Sequence, residues 1–189
     1  MTDTLRNYLA DHPWHHESVK HWPVQGALRV RLSLCATLPP PEVSSSVLAI
    51  VLRPDGRVLY LWPSHRTGSI AHLVIGGRPE PGETPQETAI REVGEETGWR
   101  IEPLGMIGFR HFFHLEPKAK GSDRPYPEFI QPIFAATAIK FDASLIRADD
   151  HIPAEVLDFS EVERATEPGQ RPLLHAAVNE AWGTERELG

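Results

Sequence analysis

Glu92, Glu95 and Glu96 stand at spacings of three and four, so on a helix their carboxylates share one face. Like charges at those spacings repel by about 0.2–0.5 kcal/mol per pair in an isolated helix. Gly94, set among them, costs about 1 kcal/mol relative to alanine. Unfavourable choices gathered on one face point to chemistry. Clustered carboxylates are relieved by a hard divalent cation, and Mg²⁺ takes oxygen ligands octahedrally, keeps some of its water and pairs with substrate phosphates. Arg91 lies four residues after Glu87 and four before Glu95, close enough to orient either. Glu83 enters just ahead of this segment, and Gly76-Gly77 upstream allow a sharp turn that offers backbone groups to a ligand.

These residues need a helix and a strand end to hold them. Thr84, Pro85, Gln86 and Glu87 form a Thr-x-x-Glu capping box with proline at the first helical position, and Gly98 closes the other end. The face opposite the carboxylates, Ala89, Ile90 and Val93, is apolar and should pack on a sheet. The runs 46–52 and 57–62 read as buried strands joined by the turn Arg53-Pro-Asp-Gly56. His72 to Ile75 forms a short apolar segment leading into the glycine pair. Met106–Phe113 and Phe129–Ala138 read as strands around a loop of mixed charge, and Leu173–Trp182 as a helix. Ala27 to Leu34 alternates strictly, with Leu28, Val30, Leu32 and Leu34 expected on the buried side. The Pro39-Pro40-Pro41 triplet and Ser44–Ser46 mark a boundary. Residues 1–42 are therefore an expected N-terminal extension, helical or irregular and then a strand, and 43–189 the main domain. His12, His15, His16 and His21 read with Trp14 and Trp22 as a polar segment packed through its tryptophans.

The 189 residues suit one domain with an accessory segment. With 26 acids against 19 bases, net −7, the chain lacks the basic surplus needed to displace counterions from extended nucleic acid. Cys35, the single cysteine, excludes an intramolecular disulfide and a cysteine-rich zinc site. No apolar run approaches the roughly 20 residues of a membrane-spanning helix. A soluble, cytoplasmic protein without membrane partners is expected. P-loop, Rossmann and Gly-x-Ser-x-Gly signatures are absent, which leaves kinase-like, dehydrogenase and serine-hydrolase chemistry without a site. The acidity is uneven: Gly77–Trp99 holds six acids against two bases, while the segments on either side carry a positive surplus that includes Arg66 and Arg110. Both arginines are candidates to grip phosphate or base by charge-assisted bonds.

The segment Gly77–Trp99, GRPEPGETPQETAIREVGEETGW, resembles the Nudix box. Gly77, Glu83, Arg91, Glu92, Glu95, Glu96 and Gly98 fill all seven of its fixed positions. At residue frequencies of about 6–7%, chance would produce that match on the order of 10⁻⁶ times over the chain. Trp99 stands where the family usually has Ile, Leu or Val. The resemblance implies an α/β/α sandwich with a mixed β-sheet. It also implies Mg²⁺- or Mn²⁺-dependent hydrolysis, by water attack at phosphorus, of a nucleoside diphosphate linked to another group. It implies metal ligands Glu92, Glu95, Glu96 and the Gly77 carbonyl, with Glu83 and Arg91 supporting the catalytic site through hydrogen bonds. Glu92 or Glu95 is the first choice of general base; Glu128 is the best candidate outside the box and, with Arg66 and Arg110, a candidate substrate contact. His111 and His114 read as structural or substrate-facing. The expected partner is a small nucleotide diphosphate, either a nucleotide sugar such as ADP-ribose or a nucleoside triphosphate. The N-terminal strand favours the first, because related sugar-diphosphate hydrolases use such extensions to form homodimers. A nucleotide-binding regulatory module without turnover is the alternative reading.

Overall fold

The computed structural model describes residues 3–22, 26–61, 73–121, 124–147 and 154–183. Helix α1 (Asp3–Asp11) leads into strands β1 (His16–Trp22) and β2 (Gly26–Leu34). There follow β3 (Val47–Leu52), β4 (Arg57–Leu61), β5 (Ile75–Gly77), α2 (Pro85–Thr97), β6 (Trp99–His114), β7 (Glu128–Phe141), β8 (Ala154–Asp158), α3 (Phe159–Ala165) and α4 (Arg171–Trp182). The strands make one mixed sheet in the order β1-β2-β6-β7-β3-β4-β8, with β5 paired to β3. The β3–β7 pairing is parallel and the other ladders between strands are antiparallel.

Helices cover both faces, as expected of an α/β/α sandwich. On one face Ala89 and Val93 of α2, with Leu5 and Tyr8 of α1, pack on Ala49, Val51, Phe109, Ile130 and Phe134. On the other, Leu173, Leu174, Ala177 and Val178 of α4 and Val162 of α3 pack on Leu48, Ile50, Val58 and Ile133. Strand β3 serves both cores and is buried along its whole length, which is why it reads as a continuous apolar run instead of an alternation. Each such side chain, fully buried, contributes about 1.5–3 kcal/mol.

The capping box of α2 forms as expected: the Thr84 hydroxyl accepts from the Glu87 N–H while the Glu87 carboxylate accepts from the Thr84 N–H. The turn after β3 closes by hydrogen bonds between Arg53 and Arg57 and between Gly56 and Arg53. Ile90, expected against the sheet, is instead 43% exposed, since Ala89 and Val93 suffice to fill the contact. Strand β6 begins seven residues before the expected Met106, because register shifts at Arg100/Ile101, Pro103/Gly105 and Met106/Gly108 carry the ladder past Pro103 and Gly105.

The N-terminal extension adds two strands to the sheet's edge: β2 pairs with β6 and β1 with β2. β1 shows no apolar alternation because its inward positions are His16, Ser18, Lys20 and Trp22. In β2 the expected sides are only partly kept: Leu28, Val30 and Leu32 are buried but Leu34 is 44% exposed, while Ala27 and Ser33 on the other side are buried. With a neighbour on each edge and α1 nearby, β2 is an interior strand. Trp22 packs on Phe112, and Trp14 lies over Arg31 at 3.7 Å, the packing through tryptophans that the sequence suggests. Among the described residues no helix is long and apolar enough to cross a membrane.

Gly98 ends α2 with φ +75°, and a Cβ there would press on Phe141 and Ile146. Gly94, by contrast, would bring a Cβ into ordinary contact with Leu145 at 3.4 Å. Thermal denaturation should therefore separate the two glycines: Gly98→Ala is expected to lose about 1–2 kcal/mol or more, and Gly94→Ala to gain about 0.5–1 kcal/mol.

Candidate active site

The acidic face of α2 meets the end of β5, and the meeting depends on Gly77. Its Cα lies so close to the Glu92 carboxylate that any Cβ at position 77 would fill the space the carboxylate occupies. The ladder of β5 on β3, through Val47↔Gly77, holds that backbone in place.

Arg91 organises the carboxylates. Its Nε donates to Glu83 Oε1 at 2.6 Å, and Nη2 donates to Glu83 Oε2 at 2.9 Å and to the Arg78 carbonyl at 2.8 Å. Its Nη1 donates to both Glu92 Oε1 at 2.9 Å and Glu95 Oε2 at 3.1 Å. Two metal-ligand candidates thus converge on one nitrogen, in side chains only 13–18% exposed. Glu95 is also paired with Arg147 at 3.0 Å. Glu96, one turn beyond Glu92, is half-buried. The hard oxygen donors of Glu92, Glu95 and Glu96 suit a divalent cation in kind; among the described residues no three such side chains already converge on one point, and Glu92 and Glu95 are held by Arg91 instead.

Glu83 has no spare acceptor role. Besides Arg91 it accepts from the Glu80 N–H at 2.8 Å and the Thr88 hydroxyl at 3.0 Å. The Arg91 bonds first, then those from Glu80 and Thr88, hold its carboxyl down at about 2, against a desolvation that acts the other way. Glu83 is therefore a weak proton acceptor and a strong anchor. The same pairing raises the Arg91 pKa further above its ordinary value.

Three separate hollows that share lining residues make a broken groove on this side of the molecule. The first lies between Arg78, Ser44, Ser45 and Arg124, where Arg124 Nη1 donates to Ser46 Oγ at 2.9 Å. The second shares Pro125 with it and is lined also by Glu42, Tyr126 and Glu128. The third, of about 280 Å³, shares Glu128 with the second and is lined by Trp14, Arg29, Arg31, His111 and Phe113. Glu128 is buried there and accepts from His111 Nε2 at 2.9 Å. Burial lowers the His111 pKa, and Arg31 and Arg29 add to this; Glu128 opposes. The imidazole is thus neutral at pH 7, with its Nδ1 lacking a hydrogen-bond partner among the described residues.

Glu83, Arg91, Glu92 and Glu95 are brought into one network, and Gly77 touches it. Glu128 lies further along the groove. Arg110 is on the other face of the sheet, bonded through Nη2 to Gln170 at 2.7 Å just before α4. Arg66 and His72 lie outside the described residues. Sequence reasoning missed Arg78, Arg124, Trp14 and Arg31. Arg78 sits inside the Gly77–Trp99 segment and could have been read from it, but nothing in the local pattern marks the other three.

A family model described as the NUDIX domain matches residues 43–177. An octanoyltransferase of Myxococcus xanthus is 32% identical over 142 residues, covering 74% of this chain and 38% of that protein. The NAD-capped RNA hydrolase NudC of Salmonella paratyphi C is 27% identical over 118 residues, covering 62% of this chain and 38% of that protein. The chain thus spans well under half the length of these curated relatives. A pyrophosphohydrolase from Bacillus subtilis superposes with a TM-score of 0.56 at 19% identity, covering 81% of this chain and 93% of that one. A NUDIX hydrolase from Nitrosomonas europaea gives 0.51 at 19% identity, covering 72% and 90%. These two likenesses show a shared fold.

Because the Glu83 pKa is depressed on folding, its stabilising contribution is complete above the ordinary value of 4.5 and is lost as pH falls toward about 2. Melting curves of Glu83→Gln against the wild type should show a deficit that is constant above about pH 5 and closes as the pH approaches 2.

Proposed function

The chain belongs to the Nudix family, and from that premise we propose that it is a divalent-metal-dependent hydrolase of phosphoric anhydride bonds in a nucleoside diphosphate linked to another group. The observation that carries this reading is the convergence of Glu92 and Glu95 on the anchored Arg91, beside Gly77 and at the mouth of a basic groove. Mg²⁺ or Mn²⁺ would be held by Glu92, Glu95, Glu96 and the Gly77 carbonyl. When bound, the cation would neutralise the diphosphate, polarise it and lower the pKa of a water.

The protein's own groups do the rest. Arg91 keeps its place through Glu83 and the Arg78 carbonyl even when Glu92 and Glu95 turn away from Nη1, so it positions the ligands without leaving the helix. Arg78 and Arg124 bring positive charge to the groove mouth, where phosphate oxygens can accept charge-assisted bonds. Glu92 or Glu95 accepts the proton of the attacking water. Glu128, held by His111, belongs to the recognition of the second group and not to proton transfer.

The hollow lined by Trp14, Arg31 and Phe113, separate from the arginines near the carboxylates, favours a substrate with a body at each end of the diphosphate, a nucleotide sugar such as ADP-ribose, over a nucleoside triphosphate. In that hollow Trp14, Phe113 and Arg31 offer flat surfaces to a base or sugar. Trp14 and Arg31 come from residues 1–42, so the extension completes the site of the main domain.

Incubation with Mg²⁺ and a panel of nucleoside triphosphates, nucleotide sugars, dinucleoside polyphosphates and coenzyme A, with products identified by mass, tests this reading. We expect one class to be hydrolysed, Glu95→Gln or Glu96→Gln to lower kcat by about 10² or more, and Trp14→Ala or Arg31→Ala mainly to raise KM. Nucleotide binding without turnover, with Mg²⁺ or Mn²⁺, would establish the regulatory alternative. A homodimer formed along the outer edge of β1, where Val19 is 52% exposed, is part of the proposal; light scattering should give twice the chain mass of 21.2 kDa.

A further inference from the structure

A second, half-open site lies on the α4 face of the sheet, away from the carboxylates. Strand β1 contributes His16, Ser18, Lys20 and Trp22, and β6 contributes Arg110, to a cavity of about 110 Å³ bordered by Glu167 and Gln170. Its roof sits close on its wall: a Cβ at Gly169 would run into the His16 ring, so the 168–170 turn and β1 meet only because glycine is there.

The charges inside do not balance. Lys20 Nζ donates to both Glu167 oxygens, at 2.8 and 3.0 Å, and so takes up that carboxylate. Arg110 gives one hydrogen bond, from Nη2 to Gln170; its Nε and Nη1 donors have no partner among the described residues. A half-buried guanidinium with two open donors facing a cavity is suited to charge-assisted bonds with an anion. In agreement, burial pulls the Arg110 pKa down to about 10, with Glu167 offsetting only part of that effect. The volume is that of roughly three to four waters, sufficient for a small oxyanion. Trp22, Val30 and Leu32 line the rest and would accept a short carbon chain.

We propose that this cavity is a binding site for a small oxyanion, inorganic phosphate or a short-chain carboxylate, held by Arg110 between β1 and the turn before α4. It is separate from the hydrolytic site and stands or falls independently of it. Occupancy would tie the edge strand of the N-terminal extension to α4, which packs on the central strands.

The test is calorimetric titration and thermal shift of the full chain without metal, at constant ionic strength, with phosphate in one arm and propionate in the other. Binding in at least one arm is expected. It should weaken about tenfold or more in Arg110→Met and in Ser18→Phe, which fills the cavity with Arg110 left in place. It should persist in Arg124→Ala, whose altered residue lies at the groove mouth. If Arg110→Met does not fold, Ser18→Phe decides. Unchanged affinity in Arg110→Met and Ser18→Phe, loss in Arg124→Ala, or no binding in either arm at about 10 mM would overturn the proposal.

Discussion

The structure depends on one guanidinium. Four carboxylates, Glu83, Glu92, Glu95 and Glu96, are gathered at the junction of α2 and β5, and without a counter-charge their repulsion would act against the helix that carries them. Arg91 supplies that charge from within the same helix. Glu83 engages two of its nitrogens and the Arg78 carbonyl engages one of these a second time, leaving Nη1 alone to face Glu92 and Glu95. The acidic face of α2 is thus held together by an internal cation whose own position does not depend on Glu92 or Glu95. That division separates the anchoring of Arg91, by Glu83, from the two carboxylates that face its Nη1, Glu92 and Glu95.

The rest of the fold serves this junction. The capped helix must sit at a fixed height over the sheet, which Ala89 and Val93 ensure by packing on the apolar strands below. Gly77 must come against Glu92, which the β5–β3 ladder ensures. The N-terminal hairpin then extends the sheet beyond β6, and the alternation of β6 sends neighbouring residues to opposite faces. His111 and Phe113 enter the groove, while Arg110 and Phe112 enter the smaller cavity. One strand thereby lines two sites of different character.

Much of this was legible in the chain. The capping box, Pro85 and Gly98 delimit α2 because helix termini have local chemical requirements that few residue types meet. The carboxylate spacing and the box positions around it are likewise local. Strands β3 and β4 were legible because burial on both faces leaves an unbroken apolar run. β1 was not, since three of its four inward residues, His16, Ser18 and Lys20, are polar and face a cavity and not a core, so periodicity of hydrophobicity has little to detect. β8 is too short, and too exposed at the sheet edge, to carry a pattern.

The same distinction divides the functional residues. Sequence alone determined the family and the carboxylate cluster, because those depend on residues within one helix and its preceding turn, where spacing is geometry. Tertiary structure decided that Glu83 is an anchor, that Glu128 is tied to His111 away from the cluster, and that Arg110 faces the opposite side of the sheet. It also brought Trp14 and Arg31, which precede the residues matched by the family model, to one hollow with His111 and Glu128. Contacts across strands depend on register and on which neighbours cover each face, and no local spacing records either.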